Sequence, residues 1–239
     1  MTLLQVDQLT KSFSGLRAVS DVDVTVTDGE FLGIIGPNGA GKTTLFSLLA
    51  GQLPPTSGRV VFDGQDITGW PADKVAGAGL VRTFQLMRPF ESMSVLENVA
   101  VAAHHRHRSR RAARRHALEV IERVRLAEYV HAPSGSLPTA GLKRLELARA
   151  LALEPRLLLL DEVLAGLVPA ERAPIIELLR EIHADGVTVM FVEHIMAAVM
   201  ALSERLLVMA EGQELALGDP QEVIRDPRVV EAYLGEDYA

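Results

Sequence analysis

The chain has 239 residues, 48% of them apolar and only 5% aromatic, with no cysteine and a formal charge of −7. That length supports one sizeable core with room for an inserted subdomain, and the scarcity of aromatics means a core built from Leu, Val, Ala and Ile. The missing cysteines exclude disulfides, thiolate metal sites and cysteine nucleophiles, and the acidic balance argues against general nucleic-acid binding.

The amino-terminal stretch MTLLQVDQLTKSF has no charged region followed by an apolar run, so no secretory signal is expected. No apolar run nears the ~20 residues that cross a bilayer. LLQVDQL and VDVTVTDG alternate apolar with polar residues and predict antiparallel strands. FLGIIG (31–36) is a continuous apolar run ending in glycine, and RLLLLDE (156–162), VTVMFVEH (187–194) and RLLVMAEG (205–212) carry similar runs. Continuous apolarity predicts strands buried on both faces, as in a parallel sheet covered by helices.

Residues 88–154 interrupt the strand series with helical patterns. Ser94 and Glu97 form a potential capping box opening a helix through Ala103. Leu118, Ile121 and Val124 support another helix, and Ile175, Leu178, Leu179 and Ile182 a third at i, i+3, i+4, i+7 spacing. Asp219, Pro220 and Glu222 read as N-cap, first helical position and N3. The expectation is one domain, 1–239, of the α/β class. Its core comprises 1–87 and 155–239 and includes an N-terminal antiparallel β layer. Residues 88–154 are inserted as a helical subdomain.

GPNGAGKT, from Gly36 to Thr43, matches the phosphate-loop pattern G-x-x-x-x-G-K-[ST], follows an apolar strand and opens the helix TTLFSLLA. Gly36, Gly39 and Gly41 let the backbone curl around Pro37, Asn38 and Ala40 so that amides point at phosphate oxygens. The helix start, with Thr43 and Thr44, adds its dipole. Lys42 supplies a cation between β- and γ-phosphates, and the Thr43 hydroxyl is a Mg²⁺ ligand. Downstream, LLLLDE places Asp161 at a strand end to hold Mg²⁺ and Glu162 beside it to polarise an attacking water.

With these elements in order, the sequence resembles the ATP-binding cassette (ABC) transporter ATPases from about residue 3 to its end, which implies a P-loop NTPase core with a mainly parallel, RecA-like sheet. The resemblance implies further roles. Gln85 in VRTFQ falls at the Q-loop glutamine, which contacts Mg²⁺ and water. His194 in FVEH falls at the switch histidine on the γ-phosphate, and Phe13 in KSFSGLRAV at the aromatic that stacks on adenine. GLVRTFQ (79–85), SMSVLENVAVA (92–102), EHIMAAVM (193–200) and AYLGE (232–236) are similar to the ATPases of branched-chain amino acid importers, and to the longer of the two. The implied cofactors are ATP and Mg²⁺. The implied partners are a second ATPase subunit facing this one head to tail, two membrane permease subunits and, indirectly, a solute-binding protein, with no nucleic acid. The implied place is the cytoplasmic face of the cell membrane, peripherally.

The family signature LSGGQ is degenerate here. Its place is taken by LPTAG, with Pro138 at the serine, Thr139 and Ala140 at the glycines and Gly141 at the glutamine. Pro138 has neither hydroxyl nor N–H, which leaves the amides of Ala140, Gly141 and Leu142 to face an anion. Val163 and Val168 also depart from the family's proline and aspartate. The run HHRHRSRRAARRH (104–116) reads first as a solvated charged helix, and second as a contact for lipid headgroups or a cytoplasmic loop. Rival readings are an ATPase of a urea or short-amide importer, a soluble, non-transport ABC ATPase acting on nucleic acid or ribosomes, and a small-molecule P-loop kinase.

Overall fold

The computed structural model describes residues 1–83 and 89–237, the last five of these by backbone alone. The chain opens with β1 (Thr2–Phe13) and β2 (Leu16–Thr27), then β3 (Phe31–Ile35), α1 (Lys42–Leu49), β4 (Ser57–Phe62), β5 (Gln65–Asp66), α2 (Ala72–Ala78) and β6 (Leu80–Arg82). Three helices follow, α3 (Val95–Ala103), α4 (Arg110–Arg123) and α5 (Thr139–Leu151). The chain then alternates β7 (Leu157–Asp161), α6 (Pro169–Ala184), β8 (Thr188–Val192), α7 (Met196–Leu202) and β9 (Arg205–Ala210), and ends with β10 (Gln213–Gly218), α8 (Pro220–Val223) and α9 (Pro227–Asp237).

These strands make two sheets. The first is antiparallel in the order β2-β1-β4-β5; the second runs β10-β9-β3-β8-β7-β6, parallel except for its antiparallel edge strand β10. Every residue of β3, β7 and β8 is buried, as their unbroken apolarity predicts. Successive side chains of β7 serve opposite faces. Leu158 and Leu160 join the helices α3 to α6, while Leu157 and Leu159 join α1 and the antiparallel sheet. The expected β layer therefore forms the second wall of the molecule.

The helical region keeps its sequence logic with one correction. Ser94 and Glu97 form the expected capping box at α3, and Asp219 accepts the amides of Gln221 and Glu222 at α8. On α4 the buried stripe is Ala113, Ala117, Val120 and Ile121; Leu118, expected inside, is 41% exposed. The stripe thus passes through Ala117, one position away from the larger Leu118. Asn98 of α3, fully buried, accepts the Phe90 amide at 2.9 Å and donates to the Ser94 carbonyl at 3.0 Å and the Ser134 hydroxyl at 3.2 Å. It ties the segment after residue 88 to the approach of α5.

The parallel registers position the site. Ile34 of β3 and Asp161 of β7 both pair with Val192 of β8, so the three strands end level. Ligands of such sheets bind outside the strands' carboxyl ends. The phosphate loop, Asp161–Glu162 and Glu193–His194 all leave the sheet at this edge.

Candidate functional site

The loop from Gly36 to Gly41 is shaped by positions that exclude a side chain. Gly41 caps α1 at φ 97°, and a Cβ there would lie 2.3 Å from the Ala18 carbonyl oxygen. At Gly36 a Cβ would meet the Met209 carbonyl oxygen at 2.1 Å. Glycine alone satisfies both the left-handed turn and the backbone approach at Gly41. Lys42 arches its ammonium over this loop, donating to the carbonyls of Gly36 at 2.6 Å and Pro37 at 2.9 Å. A cleft opens here, lined by Ala18, Asn38, Gly39, Ala40, Gly41, Lys42, Thr43, Thr44, Glu162 and His194. Expected residues from three separate stretches of sequence thus share one wall, joined by Ala18.

Asp161 is buried at the end of β7. Its Oδ2 accepts from the Arg82 guanidinium at 2.6 Å, and both side chains are enclosed. Arg82 in turn donates to Ser47 Oγ at 2.8 Å and Gln52 Oε1 at 2.7 Å, and lies over the Phe46 ring. This bridge from β6 to the acid was missed in the sequence. Its one local signal is a charge at the end of an otherwise apolar strand.

Glu162 is held in a left-handed backbone conformation at φ 50°, uncommon for a residue with a side chain. Its amide donates to the Val192 carbonyl at 3.0 Å, and its carbonyl accepts from the buried Lys143 of α5 at 3.1 Å. The turn swings the carboxylate out of the sheet, where Oε1 lies 3.3 Å from His194 Nε2. A carboxylate facing an imidazole over a phosphate loop can hold and orient a water.

Glu193, also unanticipated, is buried behind His194 and accepts the Leu164 amide at 2.8 Å, joining the turn after Glu162 to the end of β8. Burial pushes its carboxyl above the ordinary value of 4.5. The folded chain therefore holds this proton more tightly than the unfolded chain, and stability falls as pH rises from about 4.5 through the raised value. Glu193→Gln keeps the acceptor for Leu164 and removes the titration. Urea melts from pH 4 to 8 are expected to show a flatter stability profile for the variant and a gain over the parent at neutral pH. A slope identical to the parent's contradicts the assignment.

Other expected residues are placed less centrally. Phe13, 42% exposed at the β1–β2 turn, is not among the cleft residues; Ala18, farther along the same hairpin, is. The side chain of Lys11 sits over the Phe13 ring. Gln85 lies outside the described residues, as do the side chains of most of AYLGE. Pro138 is the N-cap of α5 without a side-chain cap, Pro138 and Thr139 are exposed, and Gly141 is buried. The Leu142 amide donates to the Pro138 carbonyl at 2.9 Å. It already serves the helix's own ladder, which corrects the expectation for that amide and leaves Ala140 and Gly141 ahead of the first helical bond.

The donor set suits a hard divalent cation. Asp161 Oδ1 is buried with no hydrogen-bond partner among the described residues, although Oδ2 is occupied by Arg82. Thr43 offers an exposed hydroxyl at the start of α1. An unsatisfied carboxylate oxygen beside a phosphate loop fits Mg²⁺, which takes one or two protein oxygens and keeps its waters.

Comparison with known proteins agrees with this geometry. Residues 19–165 match the family model described as ABC transporter, and residues 213–239 the model described as branched-chain amino acid ATP-binding cassette transporter. The chain is 40% identical to the high-affinity branched-chain amino acid transport ATP-binding protein BraF of Pseudomonas aeruginosa, and 38% identical to LivG of Escherichia coli, which carries the same description. Each alignment covers 98% of both chains. The fold superposes on the crystal structure of a nucleotide-free ATP-binding cassette from an ABC transporter with a TM-score of 0.90 at 31% identity, covering 98% of this chain and 99% of that one.

Proposed function

The chain belongs to the ABC transporter family of ATP-binding cassettes and is an importer-type ATPase, and from that premise we propose that it powers uptake of branched-chain amino acids. The observation that carries the solute is the match of residues 213–239 to a model specific to branched-chain amino acid cassettes. Near-full-length identity to BraF and LivG supports it.

The proposed roles follow from the cleft. The amides of residues 38–44 and the Lys42 ammonium bind the phosphates of ATP, and the exposed ring of Phe13 packs on the adenine. Thr43, Asp161 and Gln85 would hold Mg²⁺, which would neutralise phosphate charge during hydrolysis. Glu162 takes the proton of the attacking water, and His194 holds that carboxylate and contacts the γ-phosphate. In this reading the chain is one cassette, core 1–87 with 155–239 and helical subdomain 88–154, and ATP binding closes the dimer while hydrolysis and product release reopen it.

The working assembly in this reading is two cassettes, alike or different, facing head to tail beneath two membrane permease subunits on the cytoplasmic face, fed by a solute-binding protein. No helix among the described residues is long and apolar enough to cross a membrane, which accords with a peripheral subunit. In that dimer the start of α5 meets the partner's nucleotide. With Pro138 in place of a hydroxyl, the partner's site is capped poorly, while this chain's own site has its full set. Pro138→Ser restores a donor, and a hydrogen bond to a charged group contributes about 1.5–3 kcal/mol. Hydrolysis at the partner's site is then expected to rise roughly tenfold or more. An unchanged rate removes the signature from the explanation. Co-purification with two permease subunits, followed by solute accumulation in proteoliposomes, tests the function itself. Accumulation of urea or a short amide instead of branched-chain amino acids replaces the solute, and recovery without any membrane subunit defeats the importer reading.

A further inference from the structure

The basic run of residues 104–116 does not behave as one solvated surface. Arg108, Arg110, Arg111, Arg114 and Arg115 are exposed, whereas His107 and His116 turn inward and face each other with ring centroids 4.6 Å apart. His107 lies in the link between α3 and α4, and His116 on α4. A third group, Glu154, stands where the chain leaves α5 towards β7. Glu154 Oε1 is 3.3 Å from His107 Nε2 and 3.8 Å from His116 Nε2, and the three candidate ligand atoms all lie within 4.8 Å of one another.

Both Nε2 atoms are buried and neither makes a hydrogen bond among the described residues. Both imidazole nitrogens thus stand within ion-pair distance of one carboxylate oxygen but outside hydrogen-bond geometry, and buried polar groups left in that state call for an explanation such as a bound ion. Tetrahedral ligands at zinc bond lengths of about 2.0–2.1 Å stand about 3.3 Å apart, close to the separations from Glu154. The far ring nitrogen of His116, Nδ1, faces Glu119 Oε2 at 3.7 Å, so a carboxylate stands behind a metal-ligating histidine in the usual outer-shell position. Arg106 fixes the link itself, donating to the carbonyls of Leu153 at 2.7 Å and Gly77 at 3.1 Å. That bond sets His107 beside the residue following Leu153.

We propose that His107, His116 and Glu154 form a zinc site, with solvent as the fourth ligand, that ties the α3–α4 link to the exit of α5. Two imidazoles and one carboxylate suit zinc over magnesium or calcium, which prefer oxygen ligands alone. The site closes a loop from residue 107 to 154 next to the strand that carries Asp161. It is independent of the nucleotide cleft and of the transported solute.

Equilibrium dialysis of the full chain, without an affinity tag, against micromolar ZnCl₂ tests this. One zinc per chain is expected, with a thermal midpoint that rises with free zinc by mass action. Cobalt(II) in its place is expected to give the intense visible absorption of a tetrahedral ion. His107→Ala and His116→Ala are each expected to lose both, while still binding ATP, which reports that they fold. His194→Ala, which removes the exposed histidine of the cleft, keeps them. An adventitious ion only, meaning uptake at millimolar metal or uptake unchanged in the His107→Ala/His116→Ala pair, overturns the proposal. So does loss of zinc in His194→Ala.

Discussion

Replacing Glu162 by Gln is expected to lower ATP hydrolysis by the assembled transporter about 10²–10⁴-fold, the usual cost of losing a general base, with ATP affinity of the chain kept. A backbone conformation and two hydrogen bonds aim this carboxylate. The left-handed backbone at φ 50° lifts it off the end of β7, the bond from its amide to Val192 fixes the turn against β8, and Lys143 of α5 grips its carbonyl. His194 Nε2, 3.3 Å from Oε1, restrains it from the neighbouring strand end. The amide of glutamine fills the same space and leaves the phosphate loop intact, so binding and hydrolysis separate. Radioactive ATP retention and phosphate release measure the two. If most turnover survives, the partner's site carries hydrolysis and the proposed asymmetry fails.

Arg82→Met is expected to destabilise the chain by about 3–5 kcal/mol, because it leaves the Asp161 carboxylate buried and unpaired. Asp161 has no exposed side-chain surface and Arg82 only 6%. Set against a total stability of roughly 5–15 kcal/mol, this loss brings the chain near its folding threshold. The cost arises from the orphaned charge, not from the missing contact. Arg82→Met with Asp161→Asn is therefore expected to regain most of it, since the neutral amide needs far less solvation. Chemical denaturation of the parent, the two single variants and the pair measures the cycle. A single variant within about 0.5 kcal/mol of the parent contradicts the buried-pair reading.

Local features of the site were legible in the sequence. The phosphate loop, the acid pair and His194 each end a short apolar strand, and strand-to-loop chemistry over eight or fewer residues is written contiguously. What could not be read was pairing across distance. Arg82 reaches Asp161 over 79 positions, and Glu193 reaches Leu164 over 29. Neither stretch alone distinguishes a buried partner from a surface charge. The same holds for the run 104–116, where residue type says basic but only folding turns two histidines inward. The strands β4 to β6 and β10 went unassigned because they are short or half-exposed, with too weak an alternation to stand out. Leu118 misled because the buried stripe of α4 runs through Ala113, Ala117, Val120 and Ile121, which leaves position 118 at its edge.

Reconstitution in proteoliposomes with the permease subunits and a loaded solute-binding protein measures the central claim most directly, read as ATP turnover with and without solute. ATP hydrolysis is expected to accelerate when the loaded binding protein is added, to track solute accumulation, and to vanish with Lys42→Ala, whose ammonium spans the phosphate loop. A turnover rate indifferent to both membrane subunits and solute, or transfer of the γ-phosphate to a metabolite, would contradict it.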